Sequence, residues 1–398
     1  MKVYILSGES YPNGMAATNR IKCYARALHD GGMACEVVLF QRTELPGHEK
    51  NLEWKGIEGG VPFRYTGKST LRHKIKYLRP IYDVIDRIRA MLYIKRNIKK
   101  GDVLFLFMGG HVKQMLRYMK IAKKKRAYCV RDLCELPYGT CAETERAIRL
   151  RKVTIEQQFP KLDGIISISD ALLNLARSYT PSSCVNIKVP IMVEFEHYGV
   201  ETKPNTPSTP YIFHAGTLYQ QKDGILGMIE AFGIAKQILN RPIKYILTGS
   251  VNACSHPEEL KQIINKYKLE GSLEFVGYLD RNQVKEYLKY ASLVISNRPK
   301  SKQDYYGFST KVGEYLASGT PLLLTDWGEA VNWLEDKKSA FITEPENTDA
   351  LARAIVYVFD HPDESRQVGL AGQKVCRECF DYKKWSKPLV EFMNHLGK

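Results

Sequence analysis

The sequence predicts an α/β protein made of two doubly wound halves, each a mostly parallel sheet covered by helices. Three observations carry this. Short apolar runs alternate with segments of helical period along nearly all of the 398 residues. The alternation breaks once, in the Pro/Ser/Thr-rich stretch within 194–210, and then restarts. Glycine and polar clusters follow the apolar runs, which places them together at the carboxyl edge of a sheet, where open α/β sheets hold their ligands.

The first unit is strand, loop, helix, strand. Val3–Leu6 runs into Gly8-Glu9-Ser10-Tyr11-Pro12-Asn13-Gly14. A helix follows from about Ala16, with Ala17, Ile21, Ala25 and Leu28 on one face and Arg20 one turn in. Gly31-Gly32 ends it, and Glu36–Phe40 is the second strand. The loop lacks a GxGxxG dinucleotide fingerprint, but Asn13-Gly14 lets backbone approach a ligand closely. It is equally readable as a plain turn.

Residues 68–100 carry eleven Lys and Arg against Asp83 and Asp86, with Tyr77, Ile81, Ile85, Ile88 and Leu92 interleaved. They read as one or two basic amphipathic helices. Such a segment is either a helix packed on the sheet with a solvated basic face or a contact for an anionic membrane surface. A second cluster, Lys120 to Arg126, favours the latter. Asp102–Phe107 is a buried strand, followed by Gly109-Gly110-His111. The strand at Tyr128–Val130 leads into Arg131-Asp132-Leu133-Cys134-Glu135. His111, Asp132 and Glu135 are thus candidates at a cleft rim. The strand Gly164–Ile168 and the run Ile187–Ile191 complete the first half.

The second half opens with the strand Tyr211–Ala215 and the loop Gly216 to Gly224, which contains Lys222-Asp223. Strands follow at Ile243–Leu247, ending in Thr248-Gly249-Ser250, at Leu273–Val276, ending in Gly277-Tyr278, and at Leu293–Ser296, ending in Asn297-Arg298. Ser309 and Thr310 then start a short helix, Gly319 and Pro321 stop it, and Leu322–Leu324 begins a strand. Lys311 and Glu314 share one face in the first turn of that helix. A cation for phosphate beside a carboxylate for sugar hydroxyls, at a helix N-terminus, suits a nucleotide-sugar site; a surface ion pair is the plain alternative. A helix from Glu329 to Leu334, the strand Ala340–Ile342 and one long helix from about Asp349 follow. Lys222 and Lys311 lie after two different strands of one domain and can both reach a diphosphate at that edge, stabilising the charge on a leaving nucleoside diphosphate.

Together these stretches resemble the retaining glycosyltransferases of the GT-B fold, in the large family 4-like group that includes lipopolysaccharide and other cell-surface polysaccharide glycosyltransferases. The matching residues are the Asn13-Gly14 loop and its helix, Gly216-x-Leu218-x-x-x-Lys222-Asp223-Gly224, Phe275-Val276-Gly277-Tyr278-Leu279, and Lys311-x-x-Glu314-Tyr315-Leu316-Ala317-x-Gly319-x-Pro321. The resemblance implies two Rossmann-like domains facing across a cleft: an acceptor-side domain of residues 1–193, a linker at 194–210, and a donor domain of 211–382. The last helix, within 383–398, would rejoin the first domain. It further implies that Lys222 binds the donor diphosphate and Glu314 the donor ribose, that Ser309, Thr310 and Lys311 hold phosphates with Gly14 and Gly216 close by, and that Ser250 and Tyr278 border the base. Lys222 and Glu314 would be catalytic on the donor side, with His111, Asp132 or Glu135 serving the acceptor. No metal and no resident cofactor are implied. One departure stands out: the family's usual first glutamate, eight residues before Glu314, is Tyr306 here, with Asp304 out of register.

Composition bounds the rest. The net charge of +16 favours an anionic partner. No nucleic-acid motif accompanies it, so the expected partners are a nucleotide sugar, a glycan or lipid-linked acceptor, and an anionic membrane surface at 68–100, but no nucleic acid. The start of the chain lacks a signal-peptide pattern and no run reaches a membrane-spanning length, so a cytoplasmic protein, peripheral on the inner face of the plasma membrane, is expected. Nine cysteines lie scattered, with Cys376-x-x-Cys379 alone, and read as reduced structural thiols. A non-catalytic nucleotide- or glycan-binding scaffold is the competing function.

Overall fold

The structure, a computed structural model, describes residues 1–107, 112–139, 143–198, 209–216 and 218–397. It divides into two compact units, one of residues 1–193 with 382–398 and the other of residues 194–381.

The first unit grows around β1 (Lys2–Ser7), whose Val3 and Ile5 are fully buried. Such continuous apolar strands belong in the middle of a sheet covered on both faces. Its parallel neighbours are β2 (Ala34–Leu39) and β5 (Val103–Leu106). The eight-stranded order is β3-β4-β2-β1-β5-β6-β7-β8, with β3 (Lys55–Glu58), β4 (Val61–Tyr65), β6 (Tyr128–Leu133), β7 (Gly164–Ser167) and β8 (Val185–Lys188). The β3–β4 hairpin, the one antiparallel pair here, has no counterpart among the predicted elements. Its alternating, half-exposed residues give a weaker signal than the buried runs.

Helix α1 (Ala16–Asp30) buries Ile21, Ala25 and Leu28 as their spacing requires. The basic segment forms a single helical turn at Lys76–Leu78 and then α2 (Arg79–Asn97), which neighbours α3 (Val112–Lys124). Helices α4 (Glu145–Gln158) and α5 (Asp170–Tyr179) complete the cover. The C-terminal helix Ser386–His395 belongs to this unit; Leu389, Phe392 and Met393 enter its core beside α1.

The second unit holds a six-stranded parallel sheet in the order β11-β10-β9-β12-β13-β14. The strands are β9 (Tyr211–His214), β10 (Lys244–Leu247), β11 (Leu273–Phe275), β12 (Leu293–Ser296), β13 (Leu322–Thr325) and β14 (Phe341–Thr343). Around them lie α6 (Gln220–Asp223), α7 (Ile225–Leu239), α8 (Pro257–Tyr267), α9 (Arg281–Tyr290), α10 (Lys302–Tyr306), α11 (Thr310–Ala317), α12 (Thr348–Asp360) and α13 (Pro362–Val375).

Two expected helices change. The stretch expected as a helix from Glu329 to Leu334 is one 3₁₀ turn, Glu329–Asn332. The expected long helix after Asp349 is broken at His361, because Pro362 cannot donate the hydrogen bond that would continue α12 and instead starts α13. The Cys376 thiol, whose pKa burial pushes up, donates to the Gly313 carbonyl at 3.4 Å, which fits a structural role.

Candidate functional site

In each unit the strand order reverses once, between β1 and β5 and between β9 and β12. Ligands of open α/β sheets sit beyond the carboxyl ends at such reversals.

In the second unit that point is built from residues far apart in sequence. The Ala215-Gly216 turn leaves β9 and is held from two sides. The Thr248 hydroxyl accepts from the Gly216 N–H and donates to the Gly216 carbonyl, each at 2.8 Å. The fully buried Tyr315 of α11 accepts from the Ala215 N–H at 2.9 Å. A side chain at position 216 would collide with the Lys311 ammonium and the His214 ring, so only glycine lets this turn lie over them.

Lys311, in the first turn of α11, pairs with Asp223 of α6 at 2.7 Å. Arg298, just past β12, lies 3.7 Å from Asp223 and also pairs with Asp304 of α10. Thr325 fixes the Arg298 backbone through both its N–H and its carbonyl. Burial lowers the Lys311 pKa, opposed by Asp223 and reinforced by Arg298 and Lys222. Burial alone would raise the Asp223 pKa, but Lys311 outweighs it and holds the carboxyl below its usual range. Lys222, Arg298 and Lys311 against Asp223 and Asp304 leave the cluster net positive.

Two buried acceptors here, Asp223 Oδ2 and His214 Nε2, have no hydrogen-bond partner among the described residues. His214 Nδ1 lies 3.2 Å from the Ile295 carbonyl, so Nδ1 carries the proton and Nε2 the lone pair. Burial, helped by Lys311, lowers the His214 pKa to about 4. Native His214 therefore stays neutral where an unfolded histidine is already charging. As pH falls from 6.5 toward 4 the unfolded state binds the extra proton, and the second unit should lose about 3 kcal/mol of stability. Denaturant unfolding at pH 7 and pH 4.5 checks this; His214→Asn should flatten the difference. Asp223, also depressed, adds its own loss at lower pH.

The other donor residues expected in this unit lie along the same edge. Ser309 occupies the N-cap of α11, but its hydroxyl caps no backbone N–H, contrary to the expected capping, so it is not tied up in closing the helix start beside Thr310 and Lys311. Glu314 is half-buried one turn on, and its charge adds to the burial that raises the Tyr198 phenol. Ser250 and Tyr278 each follow a glycine of a bridged pair, in which Gly249 and Gly277 exchange bonds of 2.7 and 3.1 Å; Tyr278 is 69% exposed. Asp304, the carboxylate nearest Tyr306 in sequence, is buried against Arg298 and Ser301. No role had been assigned to His214, Arg298 or Asp304 from sequence. The only signal was position: His214 ends β9 and Arg298 lies just past β12, places that many neutral residues share, and Asp304 lies on α10 two residues before Tyr306.

At the edge of the first unit, Gly14 sits where a side chain would strike Thr18 and the Ser10 carbonyl. Its loop is clamped by Asn51, which accepts from the Asn13 N–H and donates to the Asn13 carbonyl, both at 2.8 Å. Glu44 in turn accepts from Ser10 and Asn51. Burial would raise the Glu44 pKa, but these hydrogen bonds outweigh it and hold the carboxyl low. Glu135 is exposed past β6, and its charge adds to the burial that raises the Glu9 pKa. His111 lies outside the described residues. Asp132 is not at a rim: it is buried against Arg20 and Tyr24, which removes it from the acceptor-side candidates.

Residues 201–375 match the family model of glycosyl transferases group 1. The matched stretch lies within the second unit. A sucrose synthase from Denitrovibrio acetiphilus is 26% identical to the chain over 206 residues, which is 48% of this chain and 26% of that protein. The chain thus spans about a quarter of the length of that curated relative. Among solved structures, HepE of Anabaena in complex with UDP and glucose superposes with a TM-score of 0.69 at 15% identity, covering 100% of both chains. Sucrose-phosphate synthase from Thermosynechococcus elongatus gives 0.72 at 14%, covering 99% of this chain and 98% of that one. At these identities the likeness is one of fold. The fold is GT-B, and the match to the group 1 glycosyl transferase model falls in the second unit.

Proposed function

We propose that the protein is a retaining, metal-independent glycosyltransferase that moves a sugar from a nucleoside-diphosphate sugar to a glycan or lipid-linked acceptor, in surface polysaccharide synthesis of the bacterial type. The observation that carries this reading is the net-positive Lys222–Lys311–Arg298 cluster under the Gly216 turn, at the sheet reversal of the unit that matches the group 1 glycosyl transferase model. Lys222 and Lys311 take the diphosphate, with Ser309 and Thr310 at the open helix start. Glu314 takes the ribose hydroxyls, and Ser250 and Tyr278 flank the base. Positive charge held in place at the leaving diphosphate lowers the barrier without a bound metal. Glu135 and His111 are the acceptor-side candidates. HepE, whose fold is shared, was solved with UDP and glucose, so uridine donors come first.

A donor panel tests this: release of nucleoside diphosphate with one of the common UDP-, GDP- or ADP-sugars supports it, and no release with any of them counts against it. A second reading, a binding scaffold without turnover, is favoured by Tyr306 at the usual glutamate position and by Asp304 being engaged with Arg298. Nucleotide binding without turnover is its signature.

A further inference from the structure

Helix α2 is apolar on the side where a helix of a water-soluble unit is normally polar. Its inner face buries Asp86, Ala90 and Ile94. On the opposite face Ile81, Val84, Ile88 and Leu92 are 56, 52, 47 and 42% exposed. At 100° per residue these four fall within an arc of about 80°, forming one continuous ridge. Tyr77, 87% exposed, extends it toward the preceding turn.

Cations border the ridge. Lys74 and Lys76 are exposed at one end, and Lys95, Arg96, Lys99 and Lys100 at the other. The acidic residues of 68–100 do not offset them: Asp86 is buried against Arg42 at 3.0 Å, and Asp83 pairs with Arg72 at 3.5 Å. Neighbouring α3 ends in exposed Lys124, next to Lys123, which pairs with Asp163 at 2.6 Å.

We propose that this face of α2 docks on an anionic lipid bilayer, with Ile81, Val84, Ile88 and Leu92 seated at the boundary of headgroups and acyl chains and the flanking cations on lipid phosphates. An apolar ridge between basic borders is the pattern of an interfacial helix, which gains from apolar burial and from the negative surface potential together. A second copy of the chain fits poorly, since self-pairing would set like charges against each other. The proposal stands on α2 alone; it deepens the functional reading by placing the acceptor at a membrane.

The test is flotation of the full chain with vesicles. Wild type should float with phosphatidylcholine vesicles containing about 30 mol % phosphatidylglycerol and not with phosphatidylcholine alone. The double variant Ile81→Ser/Ile88→Ser and the double variant Lys95→Glu/Arg96→Glu should each lower partition at least about tenfold. All four sites are exposed, and unchanged thermal unfolding shows the variants fold. The proposal is overturned if wild type ignores anionic vesicles, or if both variants bind as wild type does. It is also overturned if sedimentation velocity shows self-association that Ile81→Ser/Ile88→Ser abolishes, which would make the ridge a protein interface. Nucleoside diphosphate binding, measured without lipid, reads the donor site separately.

Discussion

Lys222→Ala should lower sugar transfer by about 10²- to 10³-fold while leaving thermal unfolding unchanged. Lys222 is half-buried at the end of α6, close enough to Lys311 for their charges to interact. Lys311 and Arg298 are already partly neutralised by Asp223 and Asp304, so Lys222 is the cation of the cluster with no ion-pair partner among the described residues. A fixed cation beside a leaving diphosphate holds the bound diphosphate and gains further in the transition state, so the loss should appear in kcat as well as in KM. The fold should survive because Lys222 closes no ion pair. Steady-state kinetics with the active donor, alongside a melting curve, checks both halves. Near-wild-type kcat would remove Lys222 from the site.

Asp132→Ala should destabilise the first unit by about 3–5 kcal/mol. The Asp132 carboxylate is fully buried, accepts from Tyr24 at 2.6 Å and pairs with Arg20 at 3.1 Å. Arg20 also donates to the Pro190 and Val189 carbonyls, tying α1 to the chain that follows β8. Removing the carboxylate strands a buried guanidinium, whereas Asp132→Asn keeps an acceptor and should cost less. Urea unfolding compares the three proteins. An Asp132→Ala loss below about 1 kcal/mol would show that the pair is not closed off from water.

Why a catalytic candidate turned out to be a structural anchor shows what the sequence carries and what it hides. The strands were legible because buried parallel strands are short uninterrupted apolar runs, as in Leu293–Ser296 and Leu322–Thr325. The limits of α11 were legible from Ser309 and from Gly319, whose φ of 72° suits glycine. Lys311 and Glu314 were visible as a local spacing. Their surroundings were not. The partner of Lys311 is Asp223, 88 residues earlier, and Arg20 meets Asp132 across 112 residues. Such pairings depend on strand order, which spacing along the chain does not encode. The exposed ridge of α2 was half legible: its period marked an amphipathic helix, but not that apolar residues would also lie on the outer face.

The carboxyl edge of the second unit is proposed to bind a nucleoside diphosphate through Lys222 and Glu314. Calorimetric titration of UDP, GDP and ADP into wild type, Lys222→Ala and Glu314→Ala tests it most directly. Saturable binding of one nucleotide to wild type, weakened at least about tenfold (1.4 kcal/mol) by each substitution, is the predicted result. No binding of any nucleoside diphosphate, or equal affinity in all three proteins, would contradict it.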